Sequence, residues 1–309
     1  MRPAFVLPIF LAVVLLGSVV LGPVLYFALG AVWPIPFHRA MDRALLICAL
    51  AALAIFWPRI RLGELWPLEI NAFKPLVLGF FVAAVSMQAM IGLHLAVVGF
   101  TSSGLSAAQV WGRVLLAVVA AIMAAPLEET IFRGFLQREL AQGGGWRFGW
   151  IVAAVIYTLA HFLKVPVALD HQPVHLWSGA TALGAAFWQF GHDLTRWSNL
   201  GKVVNLFVVG LILGGTFLRA GSLWFNAGLH GGWILGLLLF TGLTKPSPVG
   251  PAAPPPEWIV LFGTDILSSP GTTLVLVLTG FWLWRFYRHP SIQPEPARGP
   301  TRGDGPNAP

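Results

Sequence analysis

Eight stretches of this chain, 17–27 residues long, are predominantly apolar. They run over residues 5–31, 40–57, 75–99, 110–133, 148–164, 202–218, 223–243 and 271–288. A helix crossing about 30 Å of hydrocarbon needs about 20 apolar residues, because every backbone N–H and C=O must be paired inside the segment. The pattern therefore predicts an all-α, polytopic transmembrane helical bundle of about eight spans. Composition agrees: 57% of the 309 residues are hydrophobic and 10% are charged, against about 25% charged in soluble domains. The first stretch is longer than a signal-peptide core and lacks a clean small-x-small cleavage site, so it reads as a span. Cys48 is the single cysteine and allows no internal disulfide.

Between the spans, 58–74 carries Arg59, Arg61, Glu64, Glu69 and Lys74 and reads as a polar loop or surface helix. Residues 165–201 are moderately apolar but short and Gly-rich, suited to a re-entrant or interfacial segment. A Pro-rich loop follows at 244–257, and the Pro-, Gly- and Arg-rich tail 289–309 is expected to be disordered. The organisation expected is N-terminal helices over 1–109, a core over 110–243, a loop and last span over 244–288, and the tail. With eight spans, 12 of the Lys and Arg residues fall on the side of both termini and 7 on the other. The richer side is the cytoplasmic one. The net charge of +7 is thus a topology signal, and no nucleic-acid partner is expected; the lipid bilayer is the expected surround.

Inside the fourth span stand two adjacent carboxylates, Glu128 and Glu129. Each costs about 2.5 kcal/mol or more at membrane depth, so they must be paired, watered or in use. Glu129 and Arg133 are four apart with the acid first, the favourable order for a helical ion pair. Glu128 lies about 100° away and has no such partner. It is the candidate general base. His161, in Tyr157-Thr-Leu-Ala-His161, is in the next span. Gly143-Gly144-Gly145 lies between them and predicts a turn. Counted outward from Gly144, Glu128 and His161 stand about 25 Å away on antiparallel helices at 1.5 Å per residue, level with each other. His230 opens a third apolar span, with Asn226 one turn earlier.

Each residue also has a plainer explanation. An intramembrane His is often an interhelical hydrogen-bond donor, and a Glu pair also suits a proton-linked transporter. Such a transporter should show repeated halves, and none is visible. Asp170, His171 and His175 have metal-binding residue types, but Pro173 breaks the helix that would align the two His. His94, His192 and Asp193 read as packing or interfacial residues, and the 14 Trp mostly as interfacial anchors.

Glu128-Glu129-Thr-Ile-Phe-Arg133, Tyr157-Thr-Leu-Ala-His161 and His230 together resemble the CPBP family. That family contains the CAAX prenyl endopeptidases and bacterial proteases linked to bacteriocin self-immunity. The resemblance covers about Val110 to Leu239. Tyr157 stands where Phe is commoner. Ile234 stands where the third motif normally has Asn or Asp. The resemblance implies an intramembrane endopeptidase with a peptide or membrane-protein substrate. Glu128 and His161 would activate water, His230 would stabilise the oxyanion, and Glu129 with Arg133 would hold the helix. Asn226 is a candidate replacement for the amide missing at Ile234. Glu128, His161 and His230 also make an acceptable donor set for Zn²⁺; a metal-free mechanism is equally open. A catalytically idle scaffold or immunity protein of the same family is the alternative.

Overall fold

The computed structural model describes residues 3–30, 32, 35–68, 71, 73–97, 100–246 and 265–287. Most of the expected Pro-rich loop and the whole tail 289–309 lie outside these residues, as do Arg2, Arg288, Arg298 and Arg302 of the topology count.

Eleven α-helices are described. α1 is Pro3–Gly30, α2 Phe37–Ile55, α3 Trp57–Ile60, α4 Leu62–Leu65, α5 Phe73–Val97 and α6 Ala107–Glu129. α7 is Arg138–Ala160, α8 Ser178–Thr195, α9 Leu200–Ala220, α10 Trp224–Leu243 and α11 Pro270–Phe286. A π-helical segment, Thr130–Gln137, joins α6 to α7. The all-α expectation misses one detail: β1 Phe100–Ser102 and β2 Thr244–Pro246 form a short antiparallel ribbon, with Thr101 opposite Lys245.

By length and composition five helical runs can cross a membrane, or six if α2 and its bent continuation form one. The difference from eight has three sources. α2 turns by 78° into α3–α4 at Phe56, and Arg61, at φ 44°, separates α3 from α4. α11 has only 17 residues. The run Ala107–Ala160 counts as one by length, yet Gly145 breaks it at φ 83°, ψ 164°. A Cβ on Gly149 would meet the Gln137 oxygen at 2.6 Å and the Ala141 nitrogen at 2.7 Å. Twelve residues along one straight helix would put Gly149 about 18 Å from Gln137. The chain therefore reverses at Gly145, and α6 with the second half of α7 makes two antiparallel passes.

Packing follows small residues, as expected where lipid supplies no hydrophobic drive between helices. Gly79 of α5 and Gly228 of α10 sit against each other's helix so closely that a Cβ on either would strike backbone, Phe225 O and Leu76 O respectively. One turn on, Gly232 faces Ala83. α10 also packs on α6, α7 on α9, α9 on α11, and α11 back on α5, which closes a ring. α1, α2 and α8 pack together outside this ring. The segment 165–201 thus contains a true helix, α8. It buries Gly179, Ala182 and Ala186, and Gly179 lies directly on the α1 backbone at Val19. The polar stretch 58–74 is tied down by ion pairs. Arg59 forks onto Glu139 at 2.9 and 2.8 Å, and Glu64 takes Arg138 at 2.9 Å and Arg61 at 3.1 Å. The Glu64 carboxyl is held below the usual range, chiefly by the Arg138 hydrogen bond.

Candidate active site

The junction of α6 and the π-helical segment presents the two glutamates. Ser106 starts α6 with a capping box to Gln109, the reciprocal arrangement that satisfies two open N–H groups. Near its end Pro126 removes one helical donor, and the Thr130 hydroxyl donates to the Pro126 carbonyl at 2.7 Å. The π-helical turns that follow, a geometry frequent at functional sites, bury every residue from Ile131 to Gln137. Two long polar side chains emerge inward there. Arg133 donates to the Gly210 carbonyl at 3.4 Å and Gln137 to that of Gly214 at 3.2 Å, both on α9.

Glu129 is wholly buried and fully satisfied. Arg133 donates to its Oε1 at 3.0 Å, His230 Nδ1 approaches the same oxygen at 2.8 Å, and Asn226 Nδ2 donates to Oε2 at 3.1 Å. A carboxylate paired with a guanidinium accepts only, so Nδ1 of His230 carries the proton. Nε2 of His230 then faces Glu128 Oε2 at 3.7 Å and the Tyr157 hydroxyl at 3.3 Å. Glu128 is half-buried, and its Oε2 has no hydrogen-bond partner. His161 Nδ1 lies 2.8 Å from the Tyr157 carbonyl. A carbonyl also only accepts, so His161 likewise turns an unprotonated Nε2 away from its own helix.

The hairpin brings these groups level. Gln137 lies by Gly149, the Arg133 guanidinium sits 4.6 Å from the Tyr157 ring centre, and Glu128 and His161 fall within electrostatic reach of each other. A cavity of about 110 Å³ lies beside them inside the ring. Tyr157 and His161 of α7, His230 and Ile234 of α10, Asn205 of α9 and Thr272 of α11 contribute to its wall. A larger apolar cavity, about 530 Å³, lies between α5, α6 and α10 and reaches Pro126 and Trp66.

Asn226 is placed differently from the oxyanion donor considered above. Its two amide hydrogens go to Glu129 Oε2 and, at 2.6 Å, to the Leu213 carbonyl; its oxygen accepts from Thr216 at 3.0 Å. No donor is left over for substrate. Asn226 holds Glu129 instead. The zinc set also fails to form. Among the described residues no group of three or more His, Cys, Asp or Glu side chains is disposed to hold a metal ion.

Elsewhere, Asp170 is half of a clasp that sequence reading missed. It accepts from the His38 backbone N–H at 2.9 Å and pairs with the His38 ring at 2.6 Å. His94 stacks among Phe100 and Phe240, and Asp193 pairs with Arg196 at 3.7 Å. Four tryptophans, Trp66, Trp150, Trp224 and Trp233, spend their N–H on Thr130, Leu211, Pro67 and Ser86. They act as interhelical pins.

A buried Glu–Arg–His cluster thus lies beside a carboxylate oxygen without a hydrogen-bond partner and a second His, deep in an apolar bundle. Residues 110–236 match the family model described as Rce1-like, type II CAAX prenyl endopeptidase Rce1-like. Over that stretch, less than half of the 309 residues, the chain is similar to that family. No curated protein and no solved structure matches the chain.

Proposed function

We propose that this protein is an intramembrane endopeptidase in which Glu128 and His161 activate water for attack on a peptide carbonyl. The observation that carries this reading is Glu128 Oε2, a buried acceptor without a donor, with His230 Nε2 3.7 Å away. One water O–H points to Glu128, which takes the proton; the other points to His161 Nε2, which fixes the oxygen lone pair toward the carbonyl carbon. The carbonyl π pair moves onto oxygen. On collapse the C–N bond breaks and the proton on Glu128 passes to the leaving amine. Glu129, Arg133 and Asn226 do no chemistry here. They hold His230 in one tautomer and one orientation. Since the residues do not assemble a metal set, no step is routed through one. The expected topology has both termini cytoplasmic and the site in the cytoplasmic half, with peptides or membrane proteins entering as substrate.

The test is cleavage of a peptide library by the purified protein, wild type beside Glu128→Gln, each with and without chelator. Turnover lost in the variant and kept in chelator supports the reading. Turnover lost in chelator as well means a metalloprotease. A second reading, an idle scaffold of the same family, is favoured by Ile234, which puts an aliphatic wall where the family pattern has an amide. A wild type that cleaves nothing, with an unchanged cellular phenotype for Glu128→Gln, supports that second reading.

A further inference from the structure

Peptide hydrolysis places a full negative charge on the carbonyl oxygen, and a site must offer that oxygen a hydrogen-bond donor. The cavity wall contains six side chains with polar hydrogens or ring nitrogens: Tyr157, His161, Asn205, His230, Trp233 and Thr272. Five are excluded by their partners. Asn205 spends both amide hydrogens on the Leu267 and Ser269 carbonyls, at 2.7 and 3.3 Å. Thr272 donates to Ile266 O at 2.6 Å, and Trp233 to Ser86 at 2.9 Å. His230 has its proton on Nδ1, toward Glu129. His161 is excluded likewise, since its proton faces the Tyr157 carbonyl. As neutral rings both imidazoles turn lone pairs inward, and a lone pair repels an oxyanion.

We infer that the Tyr157 hydroxyl is the oxyanion donor of this site. The assignment rests on the hydrolase reading above. A phenol carries its proton at neutral pH. The hydroxyl donates to His230 Nε2 at 3.3 Å, a long bond that a stronger acceptor arriving in the cavity can take over. The Arg133 guanidinium lies over the ring face, 4.6 Å from its centre, and its positive charge stabilises the negative charge that builds on the phenol as its proton is shared. The ring is locked on both sides, edge-on to Phe132 at 5.1 Å and against the His161 ring at 4.4 Å. A donor with fixed direction needs no reorganisation when charge develops. The Tyr157 proton stays on its oxygen throughout; its hydrogen bond swings to the oxyanion as the carbonyl rehybridises and back to His230 Nε2 when the C–N bond has broken. Ile234, one turn beyond His230 on the same cavity wall, supplies no hydrogen, so the phenol replaces an amide at that end of the site.

The experiment compares wild type, Tyr157→Phe and Glu128→Gln, all purified in detergent, for kcat, KM and affinity for a peptidyl phosphonate that mimics the tetrahedral oxyanion. For Tyr157→Phe the expected result is a kcat lower by about 10²–10³-fold, the loss seen for one oxyanion donor. KM should stay within about twofold, and phosphonate affinity should fall in parallel with kcat. Wild-type kcat in Tyr157→Phe overturns the assignment; with Glu128→Gln inactive, the proposed function still stands. Lower kcat with unchanged phosphonate affinity also overturns it, because the hydroxyl would then only position His230. Wild-type turnover in Glu128→Gln overturns both.

Discussion

Replacing Arg133 by Met would strand the most buried charge in the protein. Arg133 is 1% exposed and Glu129 is 0% exposed. Removing one partner of a buried ion pair costs about 3–5 kcal/mol, because the other charge stays behind without water. Here the loss falls toward the lower end, since Glu129 keeps His230 at 2.8 Å and Asn226 at 3.1 Å. Glu129→Gln should cost a similar amount, leaving a guanidinium with the Gly210 carbonyl and the Phe132 and Tyr157 rings but no charged partner. The double variant Glu129→Gln/Arg133→Met strands neither charge, so it should be about 2 kcal/mol more stable than the two single losses added together, within the range for residues sharing one network. Unfolding in mixed detergent micelles, followed by intrinsic Trp fluorescence, measures all four corners of the cycle. Additivity to within about 0.5 kcal/mol would refute the pairing. Normal stability of both single variants with lost turnover would mean that the two glutamates divide their work differently from the account above.

Gly228→Ala should prevent α5 and α10 from docking, since the new Cβ would strike backbone at Leu76 and Phe80; size-exclusion chromatography should show aggregate, and a monodisperse active protein would count against the close approach. Asn226→Leu removes two hydrogen bonds from buried acceptors and should cost about 1–3 kcal/mol, with KM unchanged; a variant of wild-type stability would show that Glu129 is held without it. The His38–Asp170 clasp should be pH-sensitive. Burial raises the Asp170 carboxyl, but hydrogen bonds from the His38 N–H and ring outweigh it and leave the carboxyl below its ordinary 3.8. A depressed acid stabilises the fold above its unfolded pKa and loses that contribution as pH falls through the folded value. The gap in thermal stability between wild type and Asp170→Asn should therefore be constant above about pH 5 and shrink below pH 4; a gap independent of pH down to 3 would dismiss the clasp.

The helical bundle was legible because lipid leaves few alternatives: apolar length alone selects helices. The count of spans was less legible. Length cannot show that α2 bends by 78° or that α11 stops at 17 residues. In the site, the i, i+4 spacing of Glu129 and Arg133 foretold a contact that local geometry makes almost unavoidable. The level placement of Glu128 and His161 could be counted from Gly144, because a helical hairpin is a ruler. What spacing could not supply was the third partner. His230 is 101 residues from Glu129, and nothing in the order of residues says that its Nδ1 side, and the Asn226 amide with it, turns to Glu129. That depends on the α5–α10 and α6–α10 contacts. The π-helical segment was also hidden, though Pro126 next to two glutamates marked a place where regular bonding would fail. Tyr157 was visible as an oddity of its motif; its use needed the inventory of donors around it.

The distance along the chain between Glu129 and His230 also orders events during synthesis. Ribosomes add about 5–20 residues per second, so the 101 residues between them take roughly 5–20 s to make. During that interval α6 and α7 can sit in the bilayer with the Glu129–Arg133 pair closed and neutral. The cavity has no His230 wall until α10 docks its glycines on α5. The pocket beside Tyr157 and His161 therefore stays open on one side while the chain is being inserted beside other nascent membrane proteins. Closure of the cavity arrives as a late assembly event, gated by the same backbone contact at Gly79 and Gly228 that makes the bundle compact.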